Sequence, residues 1–442
     1  MAGIIDRPRF GCALGGALGL LRAIPRAVPI LHAPAGCGYS VYIGLNAGAG
    51  YYGGGYCGST SAPSSNVVEK EAVFGGEERL REQIASTMEI MDGDLYVVLS
   101  SCMVEMIGDD IRSAARIFPG VLATPTPSFH GNSYHGYDLM LETLIRDYVP
   151  EQAGKKPRSV NVIGLVPGQD AFYKGNLREI KRLLALIGLK ANTLIGEGES
   201  LEDIRRSAES ELTLNLSDVY GSLSAEAFKE KHGIPWLRAP LPVGYLQTEK
   251  FLLTVGEYFG LDREMIDQAL QREREVYFDY LERISDSYND LDFQRYGLVV
   301  ADANYAPAVT AFVAEELGWL PRLTVVTDPL TGEQRARLDS RFETFEPSIK
   351  PEVRYDGNAS AVRRHLADTW ERNRNQKYYE ALSPLIVIGS YFEKDLAEQL
   401  KCSYLPLSFP VNSRVIFNRA YAGLSGGLTL AEDLFGAIIP GR

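Results

Sequence analysis

Three cysteines in the first quarter of the chain stand where a fold brings reactive atoms to an edge. Cys37 lies in "HAPAGCGY", between Gly36 and Gly38 and after the apolar run "VPIL". Cys57 lies in "YYGGGYCGST", among glycines, and Cys102 ends the run "LYVVLSSC". Successive members are 20 and 45 residues apart. Glycine beside a thiolate lets the backbone approach a bulky inorganic group and lets amides point at sulfide. Thiolates are also the usual ligands of iron–sulfur clusters. A single such cysteine reads as a small core residue; three in strand-end or glycine-rich positions of one block point to a metal site. No C-x-x-C occurs, which disfavours a zinc ribbon or a thioredoxin-type redox pair. His32 precedes Cys37 by five residues and leaves a cysteine–histidine nucleophile open. Cys12, in "RFGCALGG", and Cys402, in "LKCSYLPL", read as thiols packed in apolar surroundings.

Other motifs carry less. "GAGYYG" (Gly48 to Gly53) matches a dinucleotide fingerprint in form, but more glycines follow it rather than a helix, so it reads as a backbone-rich loop carrying Cys57. There is no G-x-x-x-x-G-K-[ST], so any ATP would be bound by another protein. Asp109 and Asp110 in "IGDD" read as helix N-terminal acids. "TPSFHGNSYHGYD" gathers Ser128, His130 and His135 after a further strand, where histidine is more often structural.

The elements that must hold these residues repeat one grammar: a short apolar run, a turn, an amphipathic helix. Strands are predicted at 94–102, 159–168, 296–303 and 384–390, followed by helical patterns such as "MVEMIGDDIRSAARIF" and "NLREIKRLLALIGL". In the latter, Leu177, Ile180, Leu183, Leu184 and Ile187 recur at helical spacing. Near-continuous apolar strands alternating with helices predict α/β architecture, three Rossmann-like domains with mainly parallel sheets. The expected divisions are 1–156, 157–290 and 291–442, the second ending in a long helix over 263–287 with Ile266, Leu270, Tyr277, Tyr280, Leu281 and Ile284 on one stripe. Ligands of such sheets gather beyond the strand C-termini.

Composition bounds the rest. The 442 residues include 45 Lys and Arg against 57 Asp and Glu, a net charge of −12, which argues against non-specific nucleic-acid binding. No apolar run is long enough to span a bilayer, and the apolar N-terminus is broken by Arg22, Pro25, Arg26 and Pro29, so no membrane association is expected and the cytoplasm is the expected address. Five cysteines, an odd number, do not suggest a secreted disulfide framework.

"HAPAGCGY", "EKEAVFGGEERLRE", "LSSCMVEMIGDDI", "TPSFHGNSYHGYD" and "VPGQDAFYKGNLREIKRLLALIGL" together resemble the component 1 family of nitrogenases and nitrogenase-like reductases. The resemblance extends more loosely to "SFPVNSRVIFNRAYAGLSGG" near the C-terminus. It implies a β-like subunit in which Cys37, Cys57 and Cys102 match ligands of a cluster shared between two subunits, the eight-iron, seven-sulfur P-cluster of nitrogenase. Ser128 matches a serine that can ligate the oxidised cluster. Val219 stands in a segment that resembles the one carrying the cofactor cysteine of α subunits, and the last histidine is His365. The resemblance thus implies that the active-site metal–sulfur cofactor belongs to an α-like partner in an α2β2 heterotetramer, served by an ATP-hydrolysing iron protein homodimer. The N-terminus lacks the usual extension of molybdenum-nitrogenase β subunits. That puts dinitrogen in doubt as the substrate, and within the family the expected match is the β-like subunit of methylthio-alkane reductase, with reductive cleavage of a carbon–sulfur bond. A dinitrogen-reducing β subunit and a cofactor-assembly scaffold with a four-iron, four-sulfur cluster are the alternatives.

Overall fold

The computed structural model describes residues 7–48, 50–51, 53, 62–151, 154–290, 292–369 and 384–439. Runs rich in Val, Ile and Leu form strands buried on both faces, as a sheet sandwiched between helices requires. Among the described residues they build three sheets, every pairing parallel. The first has β1 (Ala27–His32), β2 (Leu95–Ser100) and β3 (Val121–Thr124) in that order. The second contains β4 (Ser159–Ile163), β5 (Lys190–Asn192), β6 (Leu212–Asn215) and β7 (Trp236–Arg238), ordered β5-β4-β6-β7. The third contains β8 (Tyr296–Ala301), β9 (Leu320–Val326), β10 (Glu352–Tyr355), β11 (Leu385–Gly389) and β12 (Ser403–Pro406), ordered β10-β9-β8-β11-β12.

Helices complete each layer. In the first sheet's block they are α1 (Ala13–Ala23), α2 (Ala35–Gly48), α3 (Glu69–Phe74), α4 (Glu77–Ile90), α5 (Cys102–Ile107), α6 (Ile111–Arg116) and α7 (Ser133–Thr143). The apolar stripe predicted over residues 177–187 is buried, on the helix Tyr173–Leu186 and its C-cap. "MVEMIGDDIRSAARIF" is two helices rather than one. Gly108 adopts φ +88°, a left-handed stop that favours glycine, and Asp110 then caps α6 by accepting from the Ser113 amide at 2.9 Å.

The long helix spans Arg263–Glu282 and ends before Ser285. Ile266, Leu270 and Tyr277 are buried, but Tyr280 is turned to solvent with the Arg283 guanidinium over its ring. The C-terminal helix Gly423–Ile438 returns to the second block and packs on the helices Tyr173–Leu186, Gly244–Tyr258 and Arg263–Glu282. A Cβ on Gly427 would lie 2.6 Å from the Cα of Gly244, so this crossing is backbone against backbone. One hydrophobic core runs from Leu14 to Ile438 through all three sheets.

Candidate functional site

Parallel strands end together, and the first sheet uses this. His32 is in register with Ser100, and Leu99 with Thr124, so the loops after β1, β2 and β3 leave one edge side by side. The β1 loop enters α2, whose first turn carries Cys37. The β2 loop enters α5, whose first residue is Cys102. The β3 loop is tied back to β2: Thr126 Oγ1 donates to the Ser100 carbonyl at 2.7 Å, and the Thr126 amide donates to Ser100 Oγ at 3.1 Å. This brings Ser128 onto Cys102. The Ser128 amide donates to Cys102 Sγ at 3.1 Å, and its hydroxyl lies 2.8 Å from the same sulfur.

A fourth loop joins them. Cys12 is the N-cap residue of α1, bridged in antiparallel fashion to Asn132, and the Ser133 amide donates to the Gly11 carbonyl at 2.8 Å. Behind it α1 and α7 cross with no room for side chains. A Cβ on Gly16 would lie 1.7 Å from the Ser133 carbonyl oxygen, and one on Gly136 would lie 1.8 Å from that of Ala13. Arg9, three residues before Cys12, is buried and donates to Ser390 Oγ at 2.7 Å and to the Glu393 carboxylate of the third block. Cys12 and Ser128 line one cleft of about 930 Å3. Cys12 is part-buried and packs against the main hydrophobic core, as its sequence surroundings suggest, while one side borders this cleft. The glycine-rich face "ALGGALG" that follows it marks the close helix crossing behind it.

The electrostatics describe thiols without a base or a cation. Burial raises the Cys12 thiol, a tendency the Gly15 amide opposes and the charge of Cys102 reinforces. Burial also raises Cys37, reinforced by Cys12 and Cys102. The three thiols thus act on one another, yet among the described residues no group of three Cys, His, Asp or Glu is close enough to hold a single metal ion. A reactive cysteine needs a depressed pKa, from a neighbouring cation for instance; Cys12 and Cys37 have the opposite. Thiols ionise when a metal binds them.

His32 is excluded as a base for Cys37. It is fully buried, with Nδ1 2.8 Å from Ser65 Oγ and Nε2 3.0 Å from Asp109 Oδ2. Burial lowers its pKa against the pull of Asp109. Asp109 also accepts the Gly76 amide at 2.9 and 3.0 Å, and a Cβ on Gly76 would lie 2.7 Å from its Oδ2. Asp110 fits the helix-cap reading; Asp109 instead clamps the glycine pair of "VFGG" to the strand that leads to Cys37. Cys57 and most of the glycine-rich loop lie outside the described residues. Cys402 is part-buried beside the Ala397 carbonyl, its thiol pushed up to about 11 by burial. Large apolar side chains of the same block stand in solvent: Tyr39 on α2, Phe74 on α3, Met106 on α5 and Phe129 next to Ser128.

Where the loops of the second and third sheets converge, buried aromatic and acidic side chains form the floor of the same cleft. Val219 is buried in the turn after β6. Beside it Tyr134 and Tyr220 stack with ring centroids 4.0 Å apart, and the charge of Asp328 acts on both. Burial, reinforced by Asp302, pushes Asp328 up to about 7. Burial likewise pushes Asp170 up to about 7, although the Phe172 amide donates to it at 2.7 Å and the Tyr305 hydroxyl at 3.0 Å. Asp302 accepts from Ser408 Oγ at 2.9 Å and is raised by burial as well. His365 is held by Asp356 at 2.8 Å.

A model of the nitrogenase component 1 type oxidoreductases matches residues 12–439. The chain belongs to that family. Its fold is that of the solved structure "Nitrogenase Cp1 at pH 6.5", at a TM-score of 0.79 and 20% identity, covering 100% of this chain and 94% of that one. The chain is 27% identical to the nitrogenase molybdenum-iron protein beta chain of Sinorhizobium fredii over 86% of its own length and 74% of that protein. It is 25% identical to the nitrogenase iron-iron protein beta chain of Rhodobacter capsulatus, covering 97% and 92%. It is also 28% identical to the nitrogenase iron-molybdenum cofactor biosynthesis protein NifE of Methanococcus maripaludis, over 63% and 58%. The α/β fold with parallel sheets and the β-like family reading both hold. Among the described residues no helix is long and apolar enough to cross a membrane.

Proposed function

We propose that this chain is the electron-relay subunit of an ATP-dependent nitrogenase-like reductase, holding an iron–sulfur cluster where it meets an α-like partner in an α2β2 assembly. The observation that carries the reading is the meeting of Cys12, Cys37, Cys102 and Ser128 from four loops at one edge of the first sheet. The donor set fits such a group: three thiols without a competing cation, and a hydroxyl beside one sulfur. The family resemblance puts Cys37, Cys57 and Cys102 in the ligand set, and Cys12 borders the same edge. Bound there, a cluster would store and pass single electrons. The chain's own part is to fix the sulfurs and temper their charge, as the Ser128 amide does by donating to Cys102 Sγ. The solvent-facing Tyr39, Phe74, Met106 and Phe129 suit burial by partner chains, the α-like subunit and an iron protein homodimer. The three sheets fit domains at about 1–156, 157–290 and 291–442.

The catalytic metal–sulfur cofactor is assigned to the partner, because Val219, at the position the family resemblance singles out, offers no donor. For the substrate we favour methylthio-alkanes over dinitrogen. The reconstituted complex is expected to release methane or ethylene from thioethers; ammonia from dinitrogen without either hydrocarbon would reverse the choice. A cofactor-assembly scaffold is the second reading, supported by the likeness to NifE. The test is anaerobic purification with the partner, followed by iron and sulfide analysis. Eight irons per shared site support the P-cluster type and four support the scaffold, whereas a colourless, iron-free complex rejects both.

A further inference from the structure

The cleft that Cys12 and Ser128 line at one end has a different chemistry at the other. There it is bordered by Arg238, the last residue of β7, and Arg337, on the helix Gly332–Phe342 of the third block. The same two arginines border a second cleft of about 670 Å3, so they form the wall between the two. Neither guanidinium has a carboxylate partner among the described residues. Arg238 lies over the Trp236 ring at 4.4 Å, reaches only Ser222 Oγ at 3.3 Å, and keeps a buried Nε with no acceptor. Arg337 donates from Nε to the Asp218 carbonyl at 3.0 Å and makes no other hydrogen bond with a described residue.

The carboxylates in range are already engaged. Asp218 is bound to Arg341 at 3.1 Å, and Glu226 accepts from the Trp236 indole at 2.9 Å. Asp138 is held by Ser224 and by the Leu223 amide. Glu315 faces Lys250. Burial depresses the Arg238 pKa, and the nearby charge acting on it most strongly is Arg337, a like charge.

Asp218 and Glu226 offset part of that repulsion on Arg238 but spend their hydrogen bonds on other partners, and Glu333 at the cleft is exposed. Two part-buried guanidiniums set against each other without a carboxylate bound to either are unfavourable, because each loses hydration and gains repulsion. A planar fork of donors left open is also the usual recogniser of carboxylate and phosphate. We infer that Arg238 and Arg337 form a binding site for a small multivalent oxyanion, a phosphate or a dicarboxylate, which bridges the second and third blocks. The anion replaces the missing carboxylate, and its two ends draw β7 and the helix Gly332–Phe342 together.

The test is thermal unfolding of the intact complex in phosphate, in succinate and in chloride at matched ionic strength. The midpoint is expected to rise saturably by about 2 °C or more in phosphate or succinate over chloride. The arm that saturates at the lower concentration identifies the source. The rise is expected to vanish in both Arg337→Gln and Arg238→Gln. In chloride alone Arg337→Gln should unfold no lower than the parent, since it removes a repulsion. Equal midpoints in all three salts, a rise that persists in both variants, or an Arg337→Gln protein that melts well below the parent in chloride would each overturn the site. The read-out is unfolding rather than iron or turnover, so it stands apart from the fate of the cluster reading.

Discussion

The first block and the convergence of the other two solve opposite problems with the same architecture. Both use loops at the C-terminal ends of parallel strands. In the first block those loops hold two thiols and a hydroxyl, with Cys12 ahead of α1 beside them. In the convergence they bury a tyrosine stack and three carboxyls under the floor of a cleft. On the proposed reading the first region takes a group from outside the chain, whereas the second pairs its buried polar groups from within. A shared fold thus says where a ligand can bind; the loop side chains say whether one does.

The sharpest way to break this contrast is to remove sulfurs. Cys102→Ala is expected to lose cluster absorbance, iron and reductase activity, with the partner still bound; full activity would end the assigned role. Cys12→Ala is expected to lose iron to a similar degree. Cys57→Ala measured alongside decides whether that thiol shares the ligation, since equal loss would add it. Next in size is Gly76→Ala, whose new methyl would press on Asp109 Oδ2. It should destabilise by about 1–3 kcal/mol through overpacking, seen as a lower urea midpoint.

The convergence has a pH signature instead. The folded pKa of Asp328, about 7, lies above its unfolded value near 4, so the associated stability is present in acid and fades as pH rises through 7. Asp328→Asn should flatten that slope in urea titrations between about pH 4 and 8; an unchanged slope would remove Asp328 as its source. The smallest effect is expected from Val219→Cys, a loss of about 1 kcal/mol for the missing methyl and no gain in bound metal. Metal uptake by that variant would show that the convergence can also take a group from outside the chain.

The strands were legible because apolar runs such as "LYVVLS" and "LIVIG" have one way to be buried on both faces. Helix Tyr173–Leu186 was legible because its stripe keeps one period. That Cys37, Cys102 and Ser128 follow strands of one sheet was legible in the apolar runs ahead of them. The proximity of Cys12 to Cys102 was not, because it depends on a helix crossing rather than on local pattern. Asp109 was misread although Gly108 ahead of it announced a helix end. The reason is that its partners, His32 and Gly76, come from other elements. Tyr280 followed the helical period yet faces solvent, since a stripe shows which residues share a face and not how much of it is covered.

Arg9 imposes an order of events. Its anchor, Ser390 with Glu393, is synthesised more than 380 residues after it. A nascent chain still on the ribosome has nowhere to seat that guanidinium, and the sulfur three residues downstream has no settled position. On the proposed cluster reading, loading belongs after translation ends, and a lesion at residues 390–393 should surface as an under-metallated protein rather than a truncated one.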